Sequence, residues 1–141
     1  MQLDTDAVQR MFKAIETGDL SDAEAYIAPA YLNRESADDG RSIKRGPDEF
    51  RETTVWLRSF FSDLHFEHIE IFGCANGMAP RIVVVTWMTG RHTAPFLGLP
   101  ATNRTFRQRQ IHLFHMAPDG KVLEHLAQRD DLGLRRQLAP A

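Results

Sequence analysis

The segment from Thr105 to Met116 gathers side chains that could do chemistry onto one surface. Read as a strand, its even-numbered face presents Phe106, Gln108, Gln110, His112, Phe114 and Met116, because residues two apart share a face. A packed core face would be more uniformly aliphatic. A ligand cavity is mainly apolar with a few placed polar groups, which is what this face offers. On the following strand Val122, Glu124, Leu126, Gln128 and Asp130 share a face by the same parity, so Asp130 stands at the far end of a mixed wall. A single bulge would exchange the two faces. A carboxylate at the rim of an apolar cavity is tuned by desolvation, and can take a proton from carbon beside a carbonyl or return one to oxygen. His112 could complete such a site by donating to the oxygen on which enolate charge builds. Plainer uses stand beside these: Asp130 or Asp131 could cap a terminal helix, and His112 could be a satisfied core histidine.

Other residues offer less. His92 follows the central strand and could reach a pocket mouth or simply occupy a loop. Trp87 and Phe96 are core candidates that could also form walls for a flat polycyclic ligand. His65 and His68 fall on opposite faces of a strand, so no shared metal is expected. Arg104, Arg107 and Arg109 form the one basic cluster. The latter two lie on the face opposite His112, which reads as a solvated or subunit-contacting surface. Cys74 has no basic neighbour within three residues and no mark of a nucleophile.

The elements that must position these groups divide along the chain. Val8, Met11, Phe12 and Ile15 recur at helical spacing and predict a first helix ended by Gly18. Ser21 and Glu24 form a capping-box pattern for a short second helix stopped by Ala28 and Pro29. Asn33 to Arg45 reads as a loop. Gly46-Pro47-Asp48-Glu49 opens a third helix with the buried stripe Phe50, Thr54, Leu57 and Phe61. Beyond Asp63 the period shortens. Leu64 to Phe72 reads as a strand ended at Gly73, and Asn76-Gly77 as a turn into the apolar run Ile82 to Met88. A loop from Pro95 to Pro100 leads into Thr105 to Met116, and Asp119-Gly120 turns that strand into Lys121 to Arg129. Leu132, Leu134 and Leu138 suggest a terminal helix that Gly133 weakens. Helices first and strands afterwards predict an α+β fold over residues 1–141 as one domain.

Composition narrows the function classes. The 141 residues carry 17 Lys and Arg against 19 Asp and Glu, with six His and a net charge of −2, which disfavours a nucleic-acid partner. A single cysteine excludes an internal disulfide framework and a multi-cysteine zinc site. The polar, acidic start MQLDTDAVQR is unlike a secretory signal, and no run approaches the roughly 20 apolar residues of a membrane span, so a cytoplasmic location without membrane contact is expected.

The carboxy-terminal run DGKVLEHLAQRDDLGLRRQLA resembles the ending of SnoaL-like polyketide cyclases, of the nuclear-transport-factor-two-like superfamily. The likeness extends over nearly the whole chain, through FKAIETGDL, AYLNRES, RGPDEF, FFSDLHFEHIEIF and TGRHTAPFLGLPATNR in that order. It implies a cone-shaped α+β barrel in which a curved antiparallel sheet wraps around helices and leaves a deep apolar pocket. It also implies that Asp130, five residues after His125 in the family's EHW…D pattern, is the general acid/base of an intramolecular aldol ring closure on a polyketide ester. The pair Gln110 and His112 is similar to a Gln-x-His pair that contacts the substrate carbonyl region, and Asn33 matches a pocket-facing asparagine. No metal or organic cofactor is implied. The sequence departs from the family at Leu126, where a tryptophan is usual, and at Arg34, where a histidine is common.

The expectation is therefore a cofactor-independent cyclase, or a related lyase or isomerase, acting on a small hydrophobic carbonyl compound. Asp130 and His112 would be catalytic, and Gln110, Asn33, Trp87, His92, Phe96 and Leu126 would contact the substrate. The alternative is a non-catalytic binding or scaffold protein of the same fold. An Asp130 buried beside His112 favours the first, and one exposed as a helix cap favours the second. A curved sheet covered on one side also predicts a homo-oligomer, a dimer or a tetramer.

Overall fold

The computed structural model describes residues 3–74 and 79–139. The expected turn at Asn76-Gly77 lies outside the described residues. Helix α1 (Asp6–Thr17) buries Ala7, Val8, Met11, Phe12 and Ala14, and Gly18 ends it at φ 76°, a left-handed conformation that glycine adopts without strain. Helix α2 (Ala23–Tyr26) follows. Ser21 is not its cap: the Ser21 hydroxyl and amide both donate to Asp19 Oδ1, at 2.7 and 3.1 Å, in a local turn.

Two further expectations fail in this stretch. Ala28 and Pro29 do not merely stop a helix; they lie inside strand β1 (Ile27–Asn33), which is an edge strand and so tolerates a proline. The polar run after it is not all loop. Asn33 caps a short helix α3 (Arg34–Asp38), accepting from the amides of Glu35 and Ser36. Helix α4 (Pro47–Arg58) begins with proline in its first turn and buries Phe50 and Thr54, whereas Phe61 already belongs to strand β2 (Phe61–Cys74).

Strands β3 (Arg81–His92), β4 (Thr105–Met116) and β5 (Val122–Arg129) complete a five-stranded sheet in the order β1-β5-β4-β3-β2. β1 runs parallel to β5 and the other neighbours are antiparallel. Register shifts in β2 coincide with positive φ at Asp63 and His68, and such bulges bend a sheet. α1 lies against the inner face, where Phe12 meets Phe66, His112 and Phe114 edge-on at 4.8, 5.0 and 6.0 Å between ring centroids.

Helix α5 (Asp131–Leu138) substitutes for strand where β5 has ended. The last β5 partner of β4 is Arg129, opposite Gln110. The unpaired Arg107 amide donates to Gln137 Oε1, and Gln137 Nε2 donates back to the Arg107 carbonyl, each at 2.8 Å. Gly133 belongs in this helix for a steric reason: a Cβ there would collide with the Asp130 carboxylate.

Candidate active site

The even-numbered residues of β4 are the inner ones. Phe106, Gln108, Gln110, His112, Phe114 and Met116 are all buried, and their odd-numbered neighbours lie on the outer face. On β5 the parity is exchanged. Met116 is opposite Val122, but His115 is opposite Glu124, so Leu123 is an extra residue and every later position is shifted by one. His125, Ala127 and Arg129 therefore stand opposite Phe114, His112 and Gln110 on the inner face, while Leu126 pairs with Leu113 on the outer one.

The resulting pocket is enclosed by α1, β1, α4 and the inner sheet face. Phe12, Tyr31, Phe50, Phe66, Met88 and Phe114 supply apolar walls, and Asn33, Gln110, His112, His125, Glu35 and Arg129 supply polar groups. Its cavity is about 60 Å³, and a second cavity of about 150 Å³ adjoins it. Glu35, Arg41, Trp56, Leu57, Met88 and Arg129 border both, so these residues form the partition between them.

At its centre His112 Nδ1 lies 2.8 Å from His125 Nε2, and His112 Nε2 lies 2.8 Å from Gln110 Oε1. The two imidazoles are within 15° of parallel, and the His125 ring stacks on Phe114 at 4.7 Å. Burial holds the affinity of His112 for a second proton well below the ordinary histidine value, with neighbouring His125 and the Arg129 charge acting in the same direction. Burial and then Arg129 lower His125 likewise. Two neutral imidazoles thus share one short hydrogen bond in the pocket; the pair keeps a lone pair free at neutral pH, which a general base needs, while burial makes it a weaker base than a free imidazole.

Arg129 closes the polar side, donating from Nη2 to both Glu35 oxygens at 2.7 and 2.6 Å. Burial raises the Glu35 carboxyl above its usual range despite the opposing pull of Arg129. Tyr31 is raised well above the ordinary phenol value by burial, reinforced by Glu49 and Glu35, and so remains protonated.

The structure brings Gln110, His112 and Asn33 together at this pocket. Asn33 is fully committed: its carbonyl caps α3, and its amide donates to Glu49 Oε1 at 3.2 Å. Glu49, itself buried, also accepts from Ser36 and Thr53 at 2.8 and 2.6 Å, which anchors the cap beneath the pocket wall. Phe96 lines the adjoining cavity, packed against Phe60 and Phe61 at 4.7 and 5.2 Å.

Four expected residues lie elsewhere. Asp130 is exposed and caps α5, its carboxylate accepting from the Gly133 amide at 2.8 Å; the chain leaves β5 before reaching it. Leu126 is on the outer face because of the bulge at Leu123. Trp87 is also outside, held between the guanidinium groups of Arg107 and Arg109 at 4.2 and 4.5 Å. His92 is completely buried but does not line the pocket. Its Nδ1 lies 3.0 Å from Thr102 Oγ1 and accepts from the Thr102 amide at 3.3 Å, tying the end of β3 to the loop before β4.

His125, Arg129 and Glu35 were missed. Parity counted without the bulge put the first two on the wrong face. Glu35 lay in a stretch read as loop, although an Asn followed by an acid is a usable helix-start signal. Among the described residues no group of three or more His, Cys, Asp or Glu side chains converges as metal ligands, and no helix is long and apolar enough to cross a membrane.

Comparison with known proteins follows the same outline. A family model described as SnoaL-like polyketide cyclase matches residues 5–138. The chain is 37% identical over 139 residues to the aklanonic acid methyl ester cyclase DnrD of Streptomyces peucetius, spanning 98% of this chain and 92% of that one. It is 33% identical over 129 residues to the nogalonic acid methyl ester cyclase of Streptomyces nogalater, spanning 91% of each. Among solved structures, TsrD from Streptomyces laurentii superposes with a TM-score of 0.78 at 27% identity over 98% of both chains. A SnoaL-like polyketide cyclase from Agrobacterium tumefaciens shares the fold, with a TM-score of 0.75 at 16% identity over 99% of this chain and 100% of that one.

Proposed function

Since the chain belongs to the SnoaL-like polyketide cyclase family, we propose that it closes a ring in a polyketide ester of the kind its relatives' names describe, using the His112–His125 pair as the base. The observation that carries this reading is the 2.8 Å contact, in a largely apolar pocket, between the buried His112 and the half-buried His125, both neutral. The histidine pair takes a proton from the carbon between the ester and a neighbouring carbonyl. The resulting enolate carbon attacks a ketone elsewhere in the same molecule, and the proton passes from imidazolium to the new alkoxide. Atoms balance as an isomerisation, with one C–C bond formed and the base regenerated. Gln110 holds His112 in place, and Tyr31, protonated and at the pocket wall, is the donor closest in character to an oxyanion partner.

This assigns the base differently from the sequence expectation, since Asp130 faces solvent. The reading needs no cofactor. It includes a cytoplasmic protein that self-associates as a dimer or tetramer through the outer sheet face. There Phe72, Val83, Leu113 and Leu126 form a cross-strand row and Ile111 is half exposed.

One observation favours a second reading, a non-catalytic binder on the same fold: Asp130, the acid expected at the pocket, is exposed outside it. Incubation with aklanonic acid methyl ester and with nogalonic acid methyl ester, in buffer containing a chelator, separates the two. Conversion to a product of unchanged mass with an added ring supports the cyclase. Saturable binding without conversion of either compound supports the binder.

A further inference from the structure

The histidine pair does not end at Gln110. Gln110 Nε2 donates to Gln108 Oε1 at 2.9 Å, and Gln108 Nε2 donates to Asp131 Oδ1 at 3.0 Å. A single file of hydrogen bonds thus runs from His125 through His112, Gln110 and Gln108 to an exposed carboxylate on α5. Every interior member can donate or accept, so nothing within the file fixes its direction. Asp131 can only accept.

We propose that Asp131 is a positioning residue that sets the direction of the whole file and thereby fixes which histidine nitrogen is basic. Gln108 must turn its NH₂ toward Asp131, which leaves its carbonyl facing Gln110. Gln110 must then turn its NH₂ toward Gln108, an orientation that also brings Gln110 Nε2 within 3.4 Å of Met88 Sδ. The Gln110 carbonyl faces His112, so His112 carries its proton on Nε2 and offers a bare Nδ1. His125 must donate to that nitrogen from Nε2, and its own Nδ1 is left with a free lone pair. Among the described residues His125 Nδ1 has no hydrogen-bond partner, yet it is not one of the sealed, partnerless polar atoms, which are Glu49 Oε2 and His92 Nε2. His125 is among the residues that line the pocket, and on this proposal Nδ1 is turned toward it. Asp131 sits in the first turn of α5.

The inference deepens the cyclase reading by naming His125 Nδ1 as the atom that receives the proton, and it rests on that reading only for the proton's destination. The direction of the file is testable without substrate. In ¹⁵N-labelled protein, long-range ¹H–¹⁵N correlation distinguishes protonated from bare ring nitrogens. Wild type is expected to show His112 as the Nε2–H form alone and His125 also protonated on Nε2. Asp131→Asn can donate or accept, so the opposite tautomer of His112 should become populated; at even populations turnover falls about twofold. Asp131→Glu should restore the single form. A wild-type His112 protonated on Nδ1, or an unchanged single tautomer in Asp131→Asn, overturns the proposal. Correct tautomers together with full turnover by a His125→Gln variant would instead count against His125 as base while leaving the file intact.

Discussion

Acidification should destabilise this protein through His112 and His125, and the size of the effect follows from their burial. Both are held below the ordinary histidine value in the fold, while the unfolded chain takes up protons around the ordinary value of 6.5. Below that pH the unfolded state binds more protons than the native state, so stability falls as pH falls, and continues to fall until the native histidines themselves titrate. Between pH 7.5 and 5.5 each histidine that stays neutral costs about 1.4 kcal/mol, and the pair about 2–3 kcal/mol. Urea unfolding followed by the fluorescence of Trp56 and Trp87 measures this directly. Glutamine at position 125 can still donate to His112 Nδ1 but does not titrate. The His125→Gln variant should therefore lose about 1.4 kcal/mol less than wild type over the same interval. Equal losses in the two proteins would refute the argument, because His125 would then not be a neutral buried imidazole.

Other consequences can be checked in parallel. Asp130→Ala removes the α5 cap and should cost about 1 kcal/mol by thermal or chemical denaturation with turnover preserved; lost turnover at unchanged stability would restore Asp130 as the acid. Asn33→Ala breaks the α3 cap and strips buried Glu49 of a donor, so it should cost about 1–3 kcal/mol, with loss of activity tracking loss of fold in circular dichroism. Leu126→Trp changes only the outer face, so KM for a polyketide ester should stay within about twofold; a large change would mean Leu126 lines the pocket after all. Arg129→Met removes a charge that disfavours imidazolium, so the titration of both histidines, followed by NMR, should move upward.

Much of this was legible in the chain. The even face of Thr105–Met116 announced a pocket wall because strand parity is local, and the buried Gln108, Gln110 and His112 lie on it. Gly18 and Pro47 marked helix ends for reasons that need no tertiary context. What was hidden depended on one inserted residue. Leu123 adds no unusual side chain, yet by bulging it moves His125 and Arg129 inward and Leu126 outward. The resemblance carried the fold correctly, but it pointed to Asp130, which the geometry gives to a helix cap. Trp87 was misplaced for a different reason. An aromatic in an apolar strand reads as core or pocket, whereas here two cross-strand arginines cover it on the outer surface.

The proposed ring closure depends on His125 as the group that takes the proton. The direct measurement is the single-turnover rate of His125→Gln on aklanonic acid methyl ester or nogalonic acid methyl ester, whichever the wild type converts, with binding measured separately. A positioned proton-transfer group contributes about 10²- to 10⁴-fold, so the variant should bind the ester as wild type does and close the ring slower by that factor. Ring closure at the wild-type rate by the folded variant would contradict the account.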